Sequence, residues 1–459
     1  MFPKEFTERL NNQNYIEAQS LINSLEKPSP VSIRLNPCKW HRIPVVSERV
    51  QWSAEGYYLD SRPSFTSDPL FHSGCYYPQE ASSLFIEQAF NQLIRDQSDL
   101  KVLDLCAAPG GKSTHLSSLI GDKGFLVANE VIRSRAGILA ENITKWGLGN
   151  TIVSNNDPEA FTKLNEYFDL ILIDAPCSGE GMFSDNAVRL EWSPENASLC
   201  SERQKRILKD VWPALKENGL LIYSTCTFNP AENEENIKWL TDLTGSSTQK
   251  LDISKFKGIS EISYMGITGY GFYPGKIKGE GLFISVVRKA GLSDRKNPKL
   301  FRKKNNQLTN SDIKTVKELV DASPEYLFRN DDIIYSLALH VEEYLFLKNY
   351  LRIIKGGAAL FKARKDDFTP LHELALLTRI SKNAFPKVEL DYKQAISYLK
   401  KENLILRDTA NGWVLLTYSG VNIGFAKNIG TRLNNYFPVD WRIRMQDSDI
   451  ANKSLINWL

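Results

Sequence analysis

Between residues 100 and 290, short apolar segments alternate with helical ones, and this alternation constrains the fold more than any other feature. The apolar segments have the length and composition of buried strands, and they are KVLDLCA (101–107), FLVANEV (125–131), TIVSNND (151–157), FDLILIDAP (168–176), GLLIYSTC (219–226) and GLFISVV (281–287). Such alternation predicts an α/β fold, a mostly parallel sheet with helices on both faces. Functional residues are expected at the carboxyl ends of its strands, where ligands of these sheets bind.

Length and composition indicate a globular protein of several domains. The chain has 459 residues, 42% of them hydrophobic and 24% charged, which is too long for one compact domain. It contains no run of about 18 apolar residues, and its polar N-terminus does not resemble a secretory signal. We therefore expect a cytoplasmic protein without a membrane partner, and nothing in the sequence suggests an obligate oligomer, so we expect a monomer.

Changes in composition divide the chain into five predicted regions. They are an α+β N-terminal domain (1–70), the α/β domain (71–289), a basic linker (290–310), an accessory domain (311–390) and a β-rich C-terminal domain (391–459). Residues 288–307 around the linker hold eight Lys or Arg against one acid, Asp294. This segment is either a solvated hinge or a strap that contacts phosphates. The formal net charge of +3 gives only weak support for a polyanionic partner.

A glycine-containing loop, LDLCAAPGGKS (103–113), joins the first strand to a helix. Pro109, Gly110 and Gly111 let the backbone approach a ligand closely, and the helix start offers unpaired amides. The loop matches neither the P-loop spacing, because position 106 is Cys, nor the G-x-G-x-x-G pattern. Taken alone, it is either a tight turn or a ligand cradle.

Three acids at the ends of successive strands favour the cradle. Glu130, Asp157 and Asp174 end the second, third and fourth strands. A carboxylate at the end of the second strand can accept hydrogen bonds from both ribose hydroxyls of an adenosine. The acids together with the loop therefore predict an adenosine-containing ligand.

The cysteines point to nucleophilic chemistry. The six are Cys38, Cys75, Cys106, Cys177, Cys200 and Cys226. No pair has zinc-knuckle spacing and the five histidines are scattered, so neither a metal site nor disulfides are predicted. Each free thiol is therefore either core filler or a nucleophile. Cys177 and Cys226 follow the fourth and fifth strands, which would bring them to one rim together with Asp174.

Two thiols beside an acid suit methylation of a pyrimidine at carbon 5. A thiolate that adds to carbon 6 of cytosine breaks the aromaticity of the ring and makes carbon 5 nucleophilic. An acid hydrogen-bonded at N3 would stabilise the adduct, and Asp174 stands three residues before Cys177. After methyl transfer a base removes the carbon-5 proton, and elimination frees the enzyme. Chemistry alone does not say which thiol attacks.

Several motifs resemble the Nop/Sun family of RNA cytosine carbon-5 methyltransferases, in particular its bacterial RsmF-type branch. They are an RLNP start (34–37), YYPQEASS (76–83), CAAPGGK (106–112), the pair Asn129-Glu130, DAPCSGEG (174–181), STCT (224–227) and GEGLFISVVRK (279–289). The combination of DAPCSGEG with STCT is highly specific. The resemblance covers most of 1–289, and the C-terminal part looks like the PUA-like RNA-binding extension of this branch.

The resemblance implies a Rossmann-like class I methyltransferase domain, a small N-terminal domain and a C-terminal PUA-like region. It implies S-adenosylmethionine as cofactor, Cys226 as the nucleophile and Cys177 as the thiol that assists product release. The implied cofactor contacts are Cys106, Ala107, Ala108, Pro109, Gly110, Gly111, Lys112, Glu130, Asp157 and Asp174. The exact role of Lys112 stays open.

The substrate that the resemblance implies is cytosine in 16S ribosomal RNA or the small ribosomal subunit, near the decoding site. Relatives that act on transfer RNA make that the main alternative. A non-catalytic RNA-binding protein would be expected to lack a thiol or an acid, and all are present. A methyltransferase acting on an exocyclic amine would not need two thiols, and an NTPase is disfavoured by the loop spacing.

Overall fold

A computed structural model describes residues 2–95, 98–291, 308–323, 326–337, 339, 341–364, 367–404, 409–446 and 454–459. Most of the predicted basic linker, residues 292–307, lies outside the described residues. Within the described ranges, no helix has both the length and the apolar character needed to cross a bilayer.

The N-terminal region combines helices with a small antiparallel sheet, ordered β2-β3-β1-β4. Its elements are α1 (Lys4–Asn11), α2 (Ala18–Leu25), β1 (Val31–Leu35), β2 (Ser47–Arg49), β3 (Gly56–Leu59), α3 (Pro69–His72), β4 (Tyr76–Pro78) and α4 (Ile86–Leu93). In α1 the buried residues Phe6 and Leu10 lie four positions apart, so one stripe of this helix packs against the main core.

The central sheet confirms the predicted Rossmann-like architecture. Its strands are β5 (Leu100–Asp104), β6 (Gly124–Asn129), β7 (Thr151–Ser154), β8 (Phe168–Asp174), β9 (Leu215–Thr225), β10 (Ser247–Thr248), β11 (Ser260–Tyr264), β12 (Ile267–Phe272) and β13 (Leu282–Arg288). Strands β9, β8, β5, β6 and β7 are parallel neighbours in that order. Strands β13, β12 and β11 continue the sheet antiparallel beyond β9, so the sheet is mixed.

Alternating side chains of the parallel strands enter two hydrophobic cores, one on each face of the sheet. Leu103 and Ile171 belong to one core, whereas Val102, Leu170 and Leu172 belong to the other. Burial on both faces is why these segments read as continuous apolar runs rather than as alternating ones.

Helices cover both faces and return the chain to the start of each parallel strand. They are α5 (Gly111–Ile120), α6 (Arg133–Trp146), α7 (Asn186–Glu191), α8 (Pro194–Val211) and α9 (Glu234–Thr244). Helix α8 begins after Ser193, whose hydroxyl accepts a hydrogen bond from the Asn196 N–H (3.1 Å), with Pro194 at the first position. Helix α6 ends at Gly147, which has the left-handed φ of 80° that favours glycine.

The C-terminal region adds two small sheets, ordered β14-β15-β17-β18 and β19-β20-β21-β22. Its elements are α10 (Asn310–Leu319), β14 (Leu327–Asn330), β15 (Ile333–Ser336), α11 (Val341–Lys348), β16 (Ile353–Gly356), β17 (Ala358–Arg364), β18 (Asp367–Pro370), α12 (His372–Leu376), β19 (Lys387–Glu389), α13 (Tyr392–Leu399), β20 (Gly412–Tyr418), β21 (Val421–Asn428) and β22 (Leu433–Asn435).

Two contacts join this region to the rest of the molecule in ways the sequence did not predict. Strand β16 pairs antiparallel with β7 and so becomes the edge strand of the central sheet. The final residues return to the N-terminal region, where the Val45 N–H donates to the Asn457 carbonyl (2.8 Å) and the Trp40 and Trp458 rings meet edge to face. The C-terminal region is therefore attached to the rest of the molecule both through β16 and through its final residues.

Candidate active site

The two cysteines at the ends of β8 and β9 lie side by side. The strands are parallel neighbours with Asp174 opposite Ser224, so the loops that follow them leave the sheet together. The sulfurs of Cys177 and Cys226 are 3.0 Å apart, and the Cys226 N–H donates to the Cys177 sulfur (3.3 Å). A disulfide requires about 2.05 Å, so these are two free thiols in contact.

Two of the rim thiols are held in the protonated form. The hydrogen bond with the Cys226 sulfur, together with burial, raises the pKa of Cys177 well above its ordinary value. Burial and the negative charges of Asp104 and Asp174 raise the pKa of Cys106 in the same direction.

A buried carboxylate, Glu232, organises the loop that carries Cys177. It accepts hydrogen bonds from the N–H of Ser178 (2.9 Å), from the hydroxyl of Ser178 (2.5 Å) and from the side chain of Gln204 (3.0 Å). Gln204 also donates to the Pro176 carbonyl (2.9 Å). Glu232 itself follows the Cys226 loop, so it ties the two cysteine loops together.

A second buried carboxylate, Glu180, ties both loops to the N-terminal helix α1. Arg9 donates to Glu180 (2.6 Å) and to the Phe228 carbonyl (3.0 Å), and the Phe228 N–H donates to Glu180 (3.1 Å). The Gly181 N–H donates to the Cys226 carbonyl (2.9 Å). One arginine thus bridges the loop that follows Cys177 and the loop that follows Cys226.

Asp174 lies at the same rim and is held by two donors. The Ser224 hydroxyl donates to one carboxylate oxygen, and the Lys112 ammonium is paired with the other, each at 2.8 Å. Burial has the largest single influence on the pKa of Lys112 and lowers it, but the charge and hydrogen bond of Asp174, together with Cys226 and Asp104, raise it by more in sum, so the net shift is upward and the ammonium form is retained. Lys112 therefore joins the glycine loop to the cysteine rim.

The glycine loop wraps the start of α5 in the geometry that a ligand cradle needs. Gly110 has a φ of 118°, in the left-handed region, and immediately precedes α5. Helix α6 supports the loop from behind: Arg135 and Asn142 each donate at 2.8 Å, to the carbonyls of Ala108 and Pro109 respectively. The carbonyls of the loop are thus held by side chains, and the loop conformation is fixed.

Asp104 lies beneath the loop and is fully buried. The Ser113 hydroxyl donates to one carboxylate oxygen (2.6 Å), whereas the other oxygen has no hydrogen-bond partner among the described residues. Burial raises the pKa of Asp104 to about 7. A buried polar atom without a partner is costly, so its presence beside the loop is consistent with a ligand that supplies one.

Glu130 and Asp157 follow the neighbouring strands β6 and β7 but differ in their surroundings. Glu130 is buried, accepts the Ile132 N–H (2.9 Å) and lies 3.8 Å from Arg135. Asp157 is exposed and is paired with Arg206 of α8 (3.3 Å). Glu130 shares Arg135 with the glycine loop, whereas Asp157 stands at the outer rim of the site.

Sequence reasoning missed the residues that hold the site from the N-terminal region. The buried Arg34 donates to Gln79 (2.9 Å) and to Thr114 of α5 (2.6 Å), and its guanidinium lies 4.2 Å from the centroid of Trp146. The RLNP and YYPQE motifs therefore fasten helix α5 to the N-terminal sheet. A charged residue inside an otherwise apolar strand was the available signal for Arg34, whereas no local pattern pointed to Arg9.

Three protein-family models match parts of this chain. Residues 91–288 match the family described as 16S rRNA methyltransferase RsmB/F. Residues 2–81 match the N-terminal domain of 16S rRNA methyltransferase RsmF, and residues 385–443 match the methyltransferase RsmF PUA domain.

Whole-length relatives decide the assignment. The Ribosomal RNA small subunit methyltransferase F of Shewanella woodyi is 30% identical, over 96% of this chain and 95% of that protein. The chain belongs to the RsmF family. The protein of the same name from Shewanella loihica is also 30% identical, over 93% and 92% of the two chains. The RsmF-type resemblance inferred from the motifs is thereby confirmed.

Solved structures support the RsmF fold. A Methyltransferase Homolog Protein from Pyrococcus horikoshii is 29% identical with a TM-score of 0.53, covering 63% of this chain and 95% of that one. NSun6 from the same organism, solved with SFG, has the same TM-score at 21% identity, covering 63% and 99% of the two chains. The second likeness concerns the fold alone.

Proposed function

We propose that this protein methylates carbon 5 of a cytosine in 16S ribosomal RNA, using S-adenosylmethionine and a covalent adduct to Cys226. The observation that carries the proposal is the contact of two free thiols, 3.0 Å apart, beside Asp174 at the carboxyl end of the sheet. Methyl transfer to an oxygen or to an exocyclic amine needs no thiol pair, whereas transfer to carbon 5 needs one nucleophile and one group to release the product.

The residues around the glycine loop fit S-adenosylmethionine. The candidates to hold it are the loop residues 106–112, Glu130, Asp157 and Asp174. The unpaired, buried oxygen of Asp104 and the left-handed turn at Gly110 are features that a ligand in this cradle would account for. When bound, the cofactor supplies an electrophilic methyl group on its sulfonium sulfur.

The residues on the cysteine side then perform the steps on the base. The Cys226 thiolate adds to carbon 6, and the electron pair of the carbon 5–carbon 6 double bond shifts to make carbon 5 nucleophilic. The proton that the Cys226 thiol gives up is relayed by the Asp174 carboxylate to N3, and the hydrogen bond from N3–H to Asp174 stabilises the adduct. After carbon 5 is methylated, a base takes the carbon-5 proton, the freed electron pair re-forms the carbon 5–carbon 6 double bond, the Cys226 sulfur leaves as a thiolate, and N3 returns its proton through Asp174. The Cys177 thiol, in contact with the departing sulfur, assists this release.

The thiol contact supports this division of roles. Two sulfurs 3.0 Å apart cannot both be thiolates at low cost, because like charges at that distance repel strongly. The contact favours one thiolate that accepts a hydrogen bond from the other thiol, and we assign the attacking role to Cys226 because its STCT motif matches that of the family's nucleophile. A thiol in contact with the departing sulfur is well placed to assist release.

A trapping experiment tests the assignment. Cys177→Ala, incubated with 16S ribosomal RNA and S-adenosylmethionine, should accumulate a protein–RNA complex that survives a denaturing gel. Cys226→Ala should form none. Cys200→Ala, a buried thiol of α8, is the matched control and should behave as the wild type. An adduct from Cys226→Ala would reverse the roles of the two thiols.

Two further measurements separate the competing functions. S-adenosylhomocysteine should raise the melting temperature and ATP should not, because only a ligand of the native state stabilises it. Mapping 5-methylcytosine in ribosomal and transfer RNA from a deletion strain should show a loss in 16S ribosomal RNA. A loss confined to transfer RNA would contradict the proposed substrate.

A further inference from the structure

A cleft of about 650 Å³ opens where three regions of the chain meet. One wall is the outward face of α6, the second comes from the residues around α3, and the third from residues 441–445 near the C-terminus. We call it the junction cleft and define it by Phe71, Asn142, Lys145, Trp441, Arg442 and Arg444. Its volume lies in the range of sites that enclose a small molecule or one nucleotide.

The charge of the junction cleft is positive and largely uncompensated. Arg442 and Arg444 are exposed, and within the described residues neither has an ion pair or a side-chain hydrogen bond. The cleft also contains Lys145, whose charge is matched by Glu141 (2.6 Å). Two exposed arginines that have no carboxylate partner among the described residues favour an anionic ligand, and guanidinium groups suit phosphate oxygens in particular.

Aromatic rings line the same cleft. The Lys145 ammonium lies 5.2 Å from the centroid of Phe71 and 5.7 Å from that of Trp441. Trp441 is partly exposed, and the His372 ring meets it edge to face at 5.3 Å. Aromatic faces beside arginines are the combination with which proteins bind unpaired nucleotides, since the base stacks and the phosphate is neutralised.

The cleft is directly connected to the proposed cofactor cradle. Asn142 lines the cleft, and its side chain donates to the Pro109 carbonyl of the glycine loop (2.8 Å). Ile138, one turn earlier on α6, is exposed in the cleft wall. The cleft therefore lies on the α6 side of the glycine loop, and an RNA strand bound in it would run along α6.

We propose that the junction cleft binds an unpaired nucleotide of the substrate RNA that flanks the target cytosine. Arg442 and Arg444 contact its phosphates, and Trp441 provides the stacking face. This inference rests on the proposed function, because it assumes an RNA substrate. It also gives the domain arrangement a role, since the cleft exists only when the C-terminal region is docked on α6 and the N-terminal region.

The test measures binding of naked 16S ribosomal RNA by the full-length protein at several salt concentrations. The double variant Arg442→Ala/Arg444→Ala should bind more weakly, and its salt slope should fall by about two, one for each lost phosphate contact. Arg432→Ala removes an exposed arginine outside the cleft and is the matched control. An unchanged slope in the double variant would overturn the proposal.

A second pair of variants isolates stacking from folding. Trp441→Ala should weaken RNA binding by about fivefold to 150-fold, the range for loss of one stacked base. Trp441→Phe keeps an aromatic face and should recover most of that affinity. Equal losses in the two variants would show that Trp441 acts only in packing, and this would contradict the stacking role.

Covalent trapping distinguishes failure of this proposal from failure of the proposed function. In the Cys177→Ala background, the arginine double variant should still form the adduct at saturating RNA, because the chemistry is intact. If the parent Cys177→Ala protein forms no adduct, the proposed function fails irrespective of the cleft. If binding to the assembled subunit weakens while binding to naked RNA does not, the cleft recognises protein and the proposal is wrong.

Discussion

The two sides of the candidate site are built differently. On the cysteine side, Glu180 and Glu232 are fully buried, and each accepts hydrogen bonds from several donors. On the cofactor side, Glu130 and Asp157 are paired with Arg135 and Arg206, whose side chains are 49% and 54% exposed. Glu130 itself is buried, but Asp157 and Arg206 form an exposed pair, which contributes about 0–1 kcal/mol, so a ligand can replace Arg206 at little cost. The buried carboxylates therefore hold the cysteine loops in place before any ligand binds. At the outer rim of the glycine-loop side, Asp157 can exchange Arg206 for a ligand.

Glu180→Ala should have the largest effect, because it breaks a buried network that a rigid cysteine side requires. It removes the partner of Arg9 and leaves the N–H groups of Phe228 and Trp192 without their acceptor. We expect a loss of about 3 kcal/mol in the free energy of unfolding. Urea titration measures it, with the exposed Glu202→Ala as control. A loss below about 1 kcal/mol would mean that the cysteine side is not rigid.

Asp104→Asn should sharpen the comparison, because Asp104 is the buried and incompletely bonded acid on the cofactor side. Burial raises the pKa of Asp104 in the folded protein from its ordinary value of 3.8 to about 7, so between these pH values the native state holds a proton that the unfolded chain has lost. Stability contributed by this group is present below pH 4 and is lost as the pH rises through 7.

The variant lacks this titration, so its unfolding free energy relative to the wild type should increase by roughly 2 kcal/mol between pH 5 and pH 8. Urea unfolding at both pH values measures the difference. The exposed Asp122→Asn should follow the wild type. If Asp104→Asn also follows the wild type, the raised pKa is wrong.

Arg9→Ala tests whether α1 positions the thiols. The side chain bridges the two cysteine loops, so we expect kcat to fall about tenfold while the KM for S-adenosylmethionine stays unchanged. Arg9→Lys keeps the charge and should recover part of the rate. Lys4→Ala, on the exposed face of the same helix, is the control. A rise in the cofactor KM with unchanged kcat would show that the two sides are not independent.

Asp157→Ala and Arg206→Ala should have the smallest effects, and the effect of Asp157→Ala should be the larger of the two. Removing the acid should raise the KM for S-adenosylmethionine by about fourfold, because one hydrogen bond to the ligand is lost. Removing Arg206 only frees the acid and should change that KM by less than about twofold. Steady-state kinetics of both variants measures these changes in KM. A loss of kcat in either would contradict the division into two sides.

The sequence predicted the parts of this site that follow from strand order. Because β8 and β9 are adjacent, the cysteines that follow them share one rim. The three acids lie at or just beyond the carboxyl ends of parallel strands, so they lie along the same edge of the sheet. Local pattern carried no information on Arg9 and Glu180, which lie 171 positions apart and meet only through tertiary packing. The same holds for β16, a short segment whose partner strand is some 200 residues earlier.

Chemistry also left the choice between the two thiols open. The motif resemblance selected Cys226, and this choice stays a prediction that the trapping experiment tests. The ion pair between Lys112 and Asp174 was not predictable either, because a lysine after two glycines has no preferred partner along the chain.

The pairing of β16 with β7 has a consequence for dissecting the protein. A fragment that ends near residue 289 would contain the proposed catalytic groups but would leave β7 as an open, apolar edge, a template for intermolecular strand pairing. It would also lose the buried ion pair between Lys101 and Glu343 and leave the lysine alone. Such a fragment should aggregate, so we expect a soluble fragment to need the part of the C-terminal region that carries β16 and Glu343.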